Sequence, residues 1–217
     1  MFSITERRCV MKVYKEFIKR IWPKLGKNEL RLCMILLDVC NKPECSVDKV
    51  AVYKHPLFTN TLKQHFGNIA KNIVGNDNKI ICGNYTTEPE QKHTLFNEIK
   101  IDTFKINVKI DETVLNYFKR NGQLEIDTGL FEKFGHVYET KFILWFKTWE
   151  NEKERKINID ILKTYLNKPY KSGEFTNVII KPLLQKMLIN GIEIHLTKIQ
   201  NENDRRFVDL LHFKVIE

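Results

Sequence analysis

The 217-residue chain predicts an α+β fold built from one helix-and-hairpin unit used twice. Two stretches open on the same tripeptide: Phe58-Thr59-Asn60 leads a run to Val74, and Phe175-Thr176-Asn177 leads a run to Asn190. In both, apolar residues recur at helical spacing with polar residues between them. Each run then gives way to alternation of period two, the mark of extended strands. Glycines and prolines, Pro23, Gly26, Pro56 and Gly75 among them, separate the segments.

In the first half, Val10, Tyr14, Phe17, Ile18 and Ile21 recur at helical spacing over residues 8–22. Lys12, Lys15, Lys19 and Arg20 fall largely on the other side, so a first helix is expected there, closed by Pro23 and Gly26. Asn28 is expected to cap a second helix reaching about Cys40, and Ser46 a short third helix over 47–53 that Pro56 ends. Phe58, Leu62, Phe66, Ile69, Ile73 and Val74 form the apolar stripe of the next helix, with Asn60, Lys63, Gln64, Asn68 and Lys71 outside it. Beyond Gly75, Ile99 and Ile101 alternate in one phase and Phe104, Ile106, Val108 and Ile110 in the other. The phase switch at Asp102-Thr103 predicts a tight hairpin turn. A short helix over 111–120 and the region of Gly122 and Gly129 lead to a boundary near Gly135, which gives domains of residues 1–130 and 131–217.

The second half repeats the order more compactly. Residues 138–149, with Phe142, Ile143, Trp145 and Phe146, predict a strongly apolar helix, and 150–156 a charged connector. A short helix follows over 159–166, then a loop over 167–173 carrying Lys168 and Lys171, then a helix over 175–190. Two strands over 192–199 and 207–216 close the unit around a tip at 200–206. Helix, helix, helix, strand, wing, strand is the order of a winged helix, so the fold expected is two tandem winged-helix domains.

The last helix of such a unit must show polar side chains to base edges while its opposite face anchors in the core. Ile179, Ile180, Leu183, Leu184, Met187 and Leu188 are assigned to the anchoring side, and Thr176, Asn177, Lys181 and Gln185 to the exposed side. Asn and Gln can pair bidentately with adenine, and Lys can reach guanine or phosphate. Pro182 removes a backbone bond, so either the helix kinks there or its regular part begins near Lys181. Arg205 and Arg206 at the wing tip, beside Asn201 and Asn203, suit phosphate or minor-groove contact. The candidate DNA-binding residues are therefore Asn60, Lys63, Gln64 and Lys71 in the first unit, and Lys171, Thr176, Asn177, Lys181, Gln185, Arg205 and Arg206 in the second.

Charge agrees with a phosphate partner. The net charge is +9, with 12 Lys and Arg against 6 Asp and Glu over residues 1–60, 10 against 10 over 61–135, and 14 against 11 over 136–217. With 42% hydrophobic residues the chain can bury one large core or two modest ones. No apolar run reaches the roughly 18 residues of a membrane span, and Arg7 and Arg8 precede no signal-type apolar stretch, so a cytoplasmic protein is expected. The five cysteines, at 9, 33, 40, 45 and 82, show no CxxC spacing and are expected to be reduced and structural.

Four segments make the pattern more specific: Tyr138-x-x-Lys141-x-x-Leu144, Ile159-x-x-Leu162-x-x-x-Leu166, Phe175 followed by Ile180-Lys181-Pro182-Leu183-Leu184, and Arg206-x-Val208-x-x-Leu211-x-Phe213. Together they resemble the C-terminal winged helix of plasmid replication initiators of the iteron-binding, theta-replicating type. The resemblance continues through Leu95-Phe96 and the 99–110 hairpin into the first unit. That family carries a proline in its recognition-helix region too, and Lys141 stands where it usually has arginine. The resemblance implies two winged helices in a pseudo-twofold relation, binding successive major grooves of repeated origin DNA. It also implies recruitment of a host initiator and replicative helicase, and homodimers formed through the N-terminal domain, for which the 95–110 hairpin is the candidate edge.

The same residues argue against catalysis. His55, His65, His93, His136, His195 and His212 include no pair flanking a single apolar residue, as a rolling-circle nuclease requires, and no G-x-x-x-x-G-K phosphate cradle is present. Glu150, Glu152 and Glu154 sit among lysines and arginines and read as solvated charge. The chain is expected to be no enzyme and to use no metal or cofactor. A tandem winged-helix transcriptional regulator would read duplex DNA through the same surfaces, and a protein-interaction module could use the same helices.

Overall fold

Met11 and Val13 are buried while Val10 and Lys12 face solvent, the alternation of a strand. In the computed structural model, which describes residues 10–20, 25–75, 79–82, 91–200 and 208–216, this strand is β1 (Val10–Tyr14) and pairs antiparallel with residues 123–127. Helix α1 is Lys15–Arg20. Of the helix expected over 8–22, residues 10–14 are strand, because a partner remote in sequence supplies ladder bonds that no local pattern reveals, and residues 8, 9, 21 and 22 lie outside the described residues. Two compact units divide the chain, residues 1–137 and 138–217.

The first unit is organised around α2 (Lys27–Val39), which buries Leu30, Leu32, Cys33, Met34, Ile35, Leu36 and Leu37. Gly26, not Asn28, stands at its N-cap, with no side-chain bond. Strand β2 (Glu44–Asp48) follows and takes in Ser46. Its last residue, Asp48, caps α3 (Lys49–Tyr53) by accepting the Val50 N–H at 2.8 Å. Next come α4 (Asn60–Gly75), the two-stranded pair β3 (Lys79–Cys82) and β4 (Gln91–Thr94), and the hairpin β5 (Phe96–Ile101) and β6 (Lys105–Ile110). The sheet order is β2-β6-β5, all antiparallel. Ile106, Val108 and Ile110 are buried, whereas Phe104 lies in the hairpin turn at 78% exposure rather than in the strand phase expected for it. Asp111 caps α5 (Glu112–Arg120), and β7 (Gln123–Asp127) returns to β1. Phe118 of α5 stacks on Tyr14 at 5.6 Å and meets Phe17 edge-on at 6.3 Å.

After α6 (Leu130–Lys133), buried Phe131 and Phe134 and a bond from Lys27 Nζ to the Gly135 carbonyl hold residues 131–137 with the first unit. The units thus divide after residue 137, close to the boundary expected near Gly135 and later than the domain limit expected at residue 130. Helix α7 (Val137–Lys147) crosses the boundary and forms the centre of the second unit. Phe142, Trp145, Phe146 and Trp149 cluster there, with ring centroids 5.0 to 5.5 Å apart.

A single 3-10 turn, Glu150–Glu152, leads into β8 (Glu154–Asn158). The charged connector expected here is thus partly a strand, since β10 offers a pairing edge that sequence periodicity does not show. Asn158 ends it and caps α8 (Ile159–Leu166), accepting the Asp160 N–H at 2.8 Å. Helix α9 (Ser172–Phe175), a π turn (Thr176–Ile180) and α10 (Lys181–Ile189) then run without a break. The hairpin β9 (Ile194–Gln200) and β10 (Val208–Val215) completes a sheet of order β8-β10-β9, again antiparallel. Phe213 of β10 reaches the helical cluster, 5.7 Å from both Phe142 and Trp145.

The two units therefore share one topology. In each, a helix precedes a strand, that strand's last residue caps a short helix, a longer helix follows, and a hairpin returns so that its second strand lies central. In chain order these are α2, β2, α3, α4, β5, β6 and α7, β8, α8, α9 to α10, β9, β10. The β3–β4 pair is an insertion particular to the first.

Lys141 is buried at 1% exposure within the α7 core, and burial lowers its ammonium to about 8. A lysine with a folded pKa below its unfolded value of about 10.4 binds fewer protons when folded, so its penalty is fullest below pH 8 and fades as pH rises toward 10.4. Lys141→Met is expected to stabilise the protein by roughly 1–3 kcal/mol at pH 7. That advantage should shrink steadily from pH 8 to 10, as urea unfolding of both proteins across the range will show.

Candidate nucleic-acid interface

Helix α4 is held entirely from one side. Leu62, Phe66, Ile69, Ala70 and Ile73 are buried, and it rests on α2 and β5. Its entry is set by Thr59, whose Oγ1 accepts the Leu62 N–H at 3.2 Å and whose carbonyl accepts that of Lys63 at 3.0 Å. Tyr53 stacks on Phe58 at 4.6 Å, and both meet Phe66, at 6.2 and 6.0 Å. That aromatic group pins the α3–α4 turn. His55 tightens it, accepting the Leu57 N–H at Nδ1 (3.1 Å) and donating from Nε2 to Asp38 (3.3 Å).

Opposite the core, Asn60, Lys63, Gln64, Asn68 and Lys71 are all exposed, as are Thr61, His65, Gly67 and Asn72. No acidic residue occurs from 60 to 75, although the chain holds 27. The face therefore repels no phosphate and presents donors throughout.

In the second unit the turn before α9 is defined by Asn167, left-handed at φ 54°, and by Lys163, whose Nζ bonds both Asp160 Oδ1 and Ser172 Oγ at 2.9 Å. Lys168 lies over the Tyr138 ring at 4.5 Å, and Lys171 is exposed at the residue preceding α9. The helix is anchored by Phe175, Ile179, Ile180, Leu183 and Met187, with Lys186 Nζ paired to Glu139 Oε2 of α7 at 2.6 Å. Pro182 falls in the first turn of α10, directly after the π turn of the continuous helix. Just before it, the Lys181 N–H reaches back five residues to the Thr176 carbonyl. A π turn thus absorbs the proline at the carbonyls its ring would strike, and the regular helix begins at Lys181.

Asn177, Lys181 and Gln185 are exposed on the helix, as expected. Thr176 is not: it is fully buried and donates Oγ1 to the Ser172 carbonyl at 3.0 Å. At about 100° per residue it falls inside the arc of Phe175, Ile179, Ile180 and Leu183, and its hydroxyl needs no water because the helix itself supplies an acceptor. Leu188, assigned to the anchoring side, is 54% exposed, since it lies across the helix from Leu183. Arg205 and Arg206 lie outside the described residues.

The shared tripeptide plays two parts, capping α4 at Thr59 but lying inside the continuous helix at Thr176. Even so, Asn60, Gln64, Asn68 and Asn177, Lys181, Gln185 form equivalent exposed rows at four-residue spacing. Val178, 49% exposed beside Asn177, extends the second row with methyl groups able to meet a thymine methyl. Helical periodicity places it, with Leu188 and Ile189, among the apolar residues on the polar side. Residues 175–192 are likewise free of Asp and Glu.

Glu150, Glu152 and Glu154 pair separately with Lys147, Arg155 (3.3 Å) and His212 (3.2 Å). Among the described residues no group of three or more His, Cys, Asp and Glu is placed to hold a metal ion, and no helix is long and apolar enough to cross a membrane.

No protein-family model and no curated protein matches the sequence. A solved structure does: that of the Pi initiator protein in complex with iteron DNA superposes with a TM-score of 0.67 over 97% of this chain and 98% of that one, at 14% sequence identity. The two proteins share a fold through nearly their whole length.

Thr176→Val, which removes the buried bond to Ser172, is expected to cost about 0.5–1.5 kcal/mol of stability. Alanine at exposed Asn177 or Gln185 should stay within about 0.5 kcal/mol of the native protein. Urea titrations of the three variants separate the interior position from the surface ones.

Proposed function

We propose that this chain is a non-enzymatic, sequence-specific double-stranded DNA-binding protein that initiates plasmid-type replication through two tandem winged helices in a pseudo-twofold relation. The observation that carries this reading is a pair of helices, each clamped to its core by one face and showing on the other an exposed row at four-residue spacing, Asn60, Gln64 and Asn68 in one and Asn177, Lys181 and Gln185 in the other. Each follows a capped short helix and precedes a hairpin, as a recognition helix and wing require. The full-length likeness to an initiator solved with iteron DNA supports repeated origin sequences as the target.

In this reading Asn60, Lys63, Gln64 and Lys71 meet one major groove. Lys171, Asn177, Lys181 and Gln185 meet the next, and Arg205 and Arg206 in the wing between β9 and β10 take phosphate or minor groove. Host initiator and replicative helicase are the partners to which the opened origin is handed, in the cytoplasm. Self-association belongs to the N-terminal domain, where β5 of the 95–110 hairpin is an outer strand of its sheet.

Footprinting of the purified protein across DNA flanking its own coding region, at near-physiological salt, tests the reading. Regularly spaced direct repeats, each protected over about two helical turns, are expected. One protected inverted repeat at the promoter would make the protein a transcriptional regulator instead, and no protection would turn the helices to a protein partner. Lys181→Ala with Arg206→Ala should weaken binding by about ten-fold or more and lower the salt slope by roughly 1 for each phosphate that is no longer neutralised. Wild-type affinity in that double variant would remove the C-terminal surface from the interface.

A further inference from the structure

Gly67 sits at the middle of α4, seven residues from its start and eight from its end, on the exposed face. The fold gives it no reason to be glycine. A Cβ built there meets no atom within 4 Å, and its backbone is helical, not in the left-handed region that among the described glycines holds Gly122 and Gly191. Glycine in a helix interior weakens the helix relative to alanine, and an unpacked surface position is where alanine would be accepted most easily.

The neighbours of this bare position point outward to a ligand. At 100° per residue, Asn60, Lys63, Gln64 and Lys71 all lie within about 60° of Gly67 around the helix axis, and all are exposed. The most donor-rich strip of the helix therefore has a notch at its centre, one methyl deep. A helix with its side chains, about 10–12 Å across, barely fits a major groove about 12 Å wide, so a notch on the inserted face decides how deeply it seats.

We propose that Gly67 is the point of closest approach of α4 to DNA, where the helix backbone rests against base edges and thereby brings Gln64, Lys63 and Lys71 within reach of them. Gly67 is a positioning residue, since it donates nothing to the bases itself. The inference rests on the DNA-binding reading of α4 and adds how that helix is seated.

The test uses the full chain and duplex fragments of the DNA flanking its coding region. Gly67→Ala is expected to raise the melting midpoint by about 2–4 °C, because alanine favours the helix. It should weaken binding to the protected fragment by about ten-fold or more. Gly67→Leu, also a better helix former than glycine, should weaken it further. Native affinity in Gly67→Ala together with weakened binding in Lys63→Ala would overturn the seating role and leave the DNA-binding face standing. Native affinity in both, or no binding by the wild type, would remove α4 from the interface and the inference with it. A lower melting midpoint in Gly67→Ala would show that the fold itself needs the glycine, and would also overturn the proposal.

Discussion

A helix that keeps one whole face free for a partner must be held in place by the other face alone. In this protein that constraint falls twice, on α4 and on the continuous α9–α10 helix. Burying a Leu, Ile or Phe side chain contributes about 1.5–3 kcal/mol, and each helix has four or more such anchors: Leu62, Phe66, Ile69 and Ile73 in one, Phe175, Ile179, Ile180, Leu183 and Met187 in the other. Those terms easily outweigh the roughly 1 kcal/mol that an interior glycine costs α4. Anchoring by apolar packing leaves the polar rows exposed, so their chemistry is available to a ligand.

The short helices before them serve as jigs. Asp48 and Asn158 each end a strand and cap the next helix within one residue, which fixes the direction of α3 and α8 against the sheet edge that β2 and β8 provide. The turn that follows is rigid for different reasons in the two units: an aromatic trio of Tyr53, Phe58 and Phe66 in the first, a forked lysine bond from Lys163 in the second. One topology is thus reached with different side chains at the turn before the longer helix.

Much of the α+β plan is legible in the sequence. The stripes of α4 and α8, each with one buried face, the apolar runs of α2 and α7, the β5–β6 turn at Asp102-Thr103 and the closing hairpin all follow from local period, composition and punctuation. The exposed positions Asn60, Lys63, Gln64, Lys71, Asn177, Lys181 and Gln185 follow from the same periods. Thr176 departs from the expected exposure because polarity is a poor guide to geometry there. It lies in the apolar arc, and a hydroxyl that bonds four residues back can be buried.

By itself the sequence determined the helical stripes, the basic balance and the polar faces of α4 and α10, all set by the order of residue types along a few turns. Only the tertiary structure decided that residues 10–14 are strand rather than helix, that β2 and β8 exist, and that residues 131–137 belong to the first unit. Each of those depends on a partner far away in the chain: β7 for β1, β6 for β2, β10 for β8, and the first unit's core for Phe131 and Phe134. A strand's hydrogen bonds are made to another strand, whereas a helix makes its own, so local sequence specifies helices and leaves the sheets to the fold as a whole.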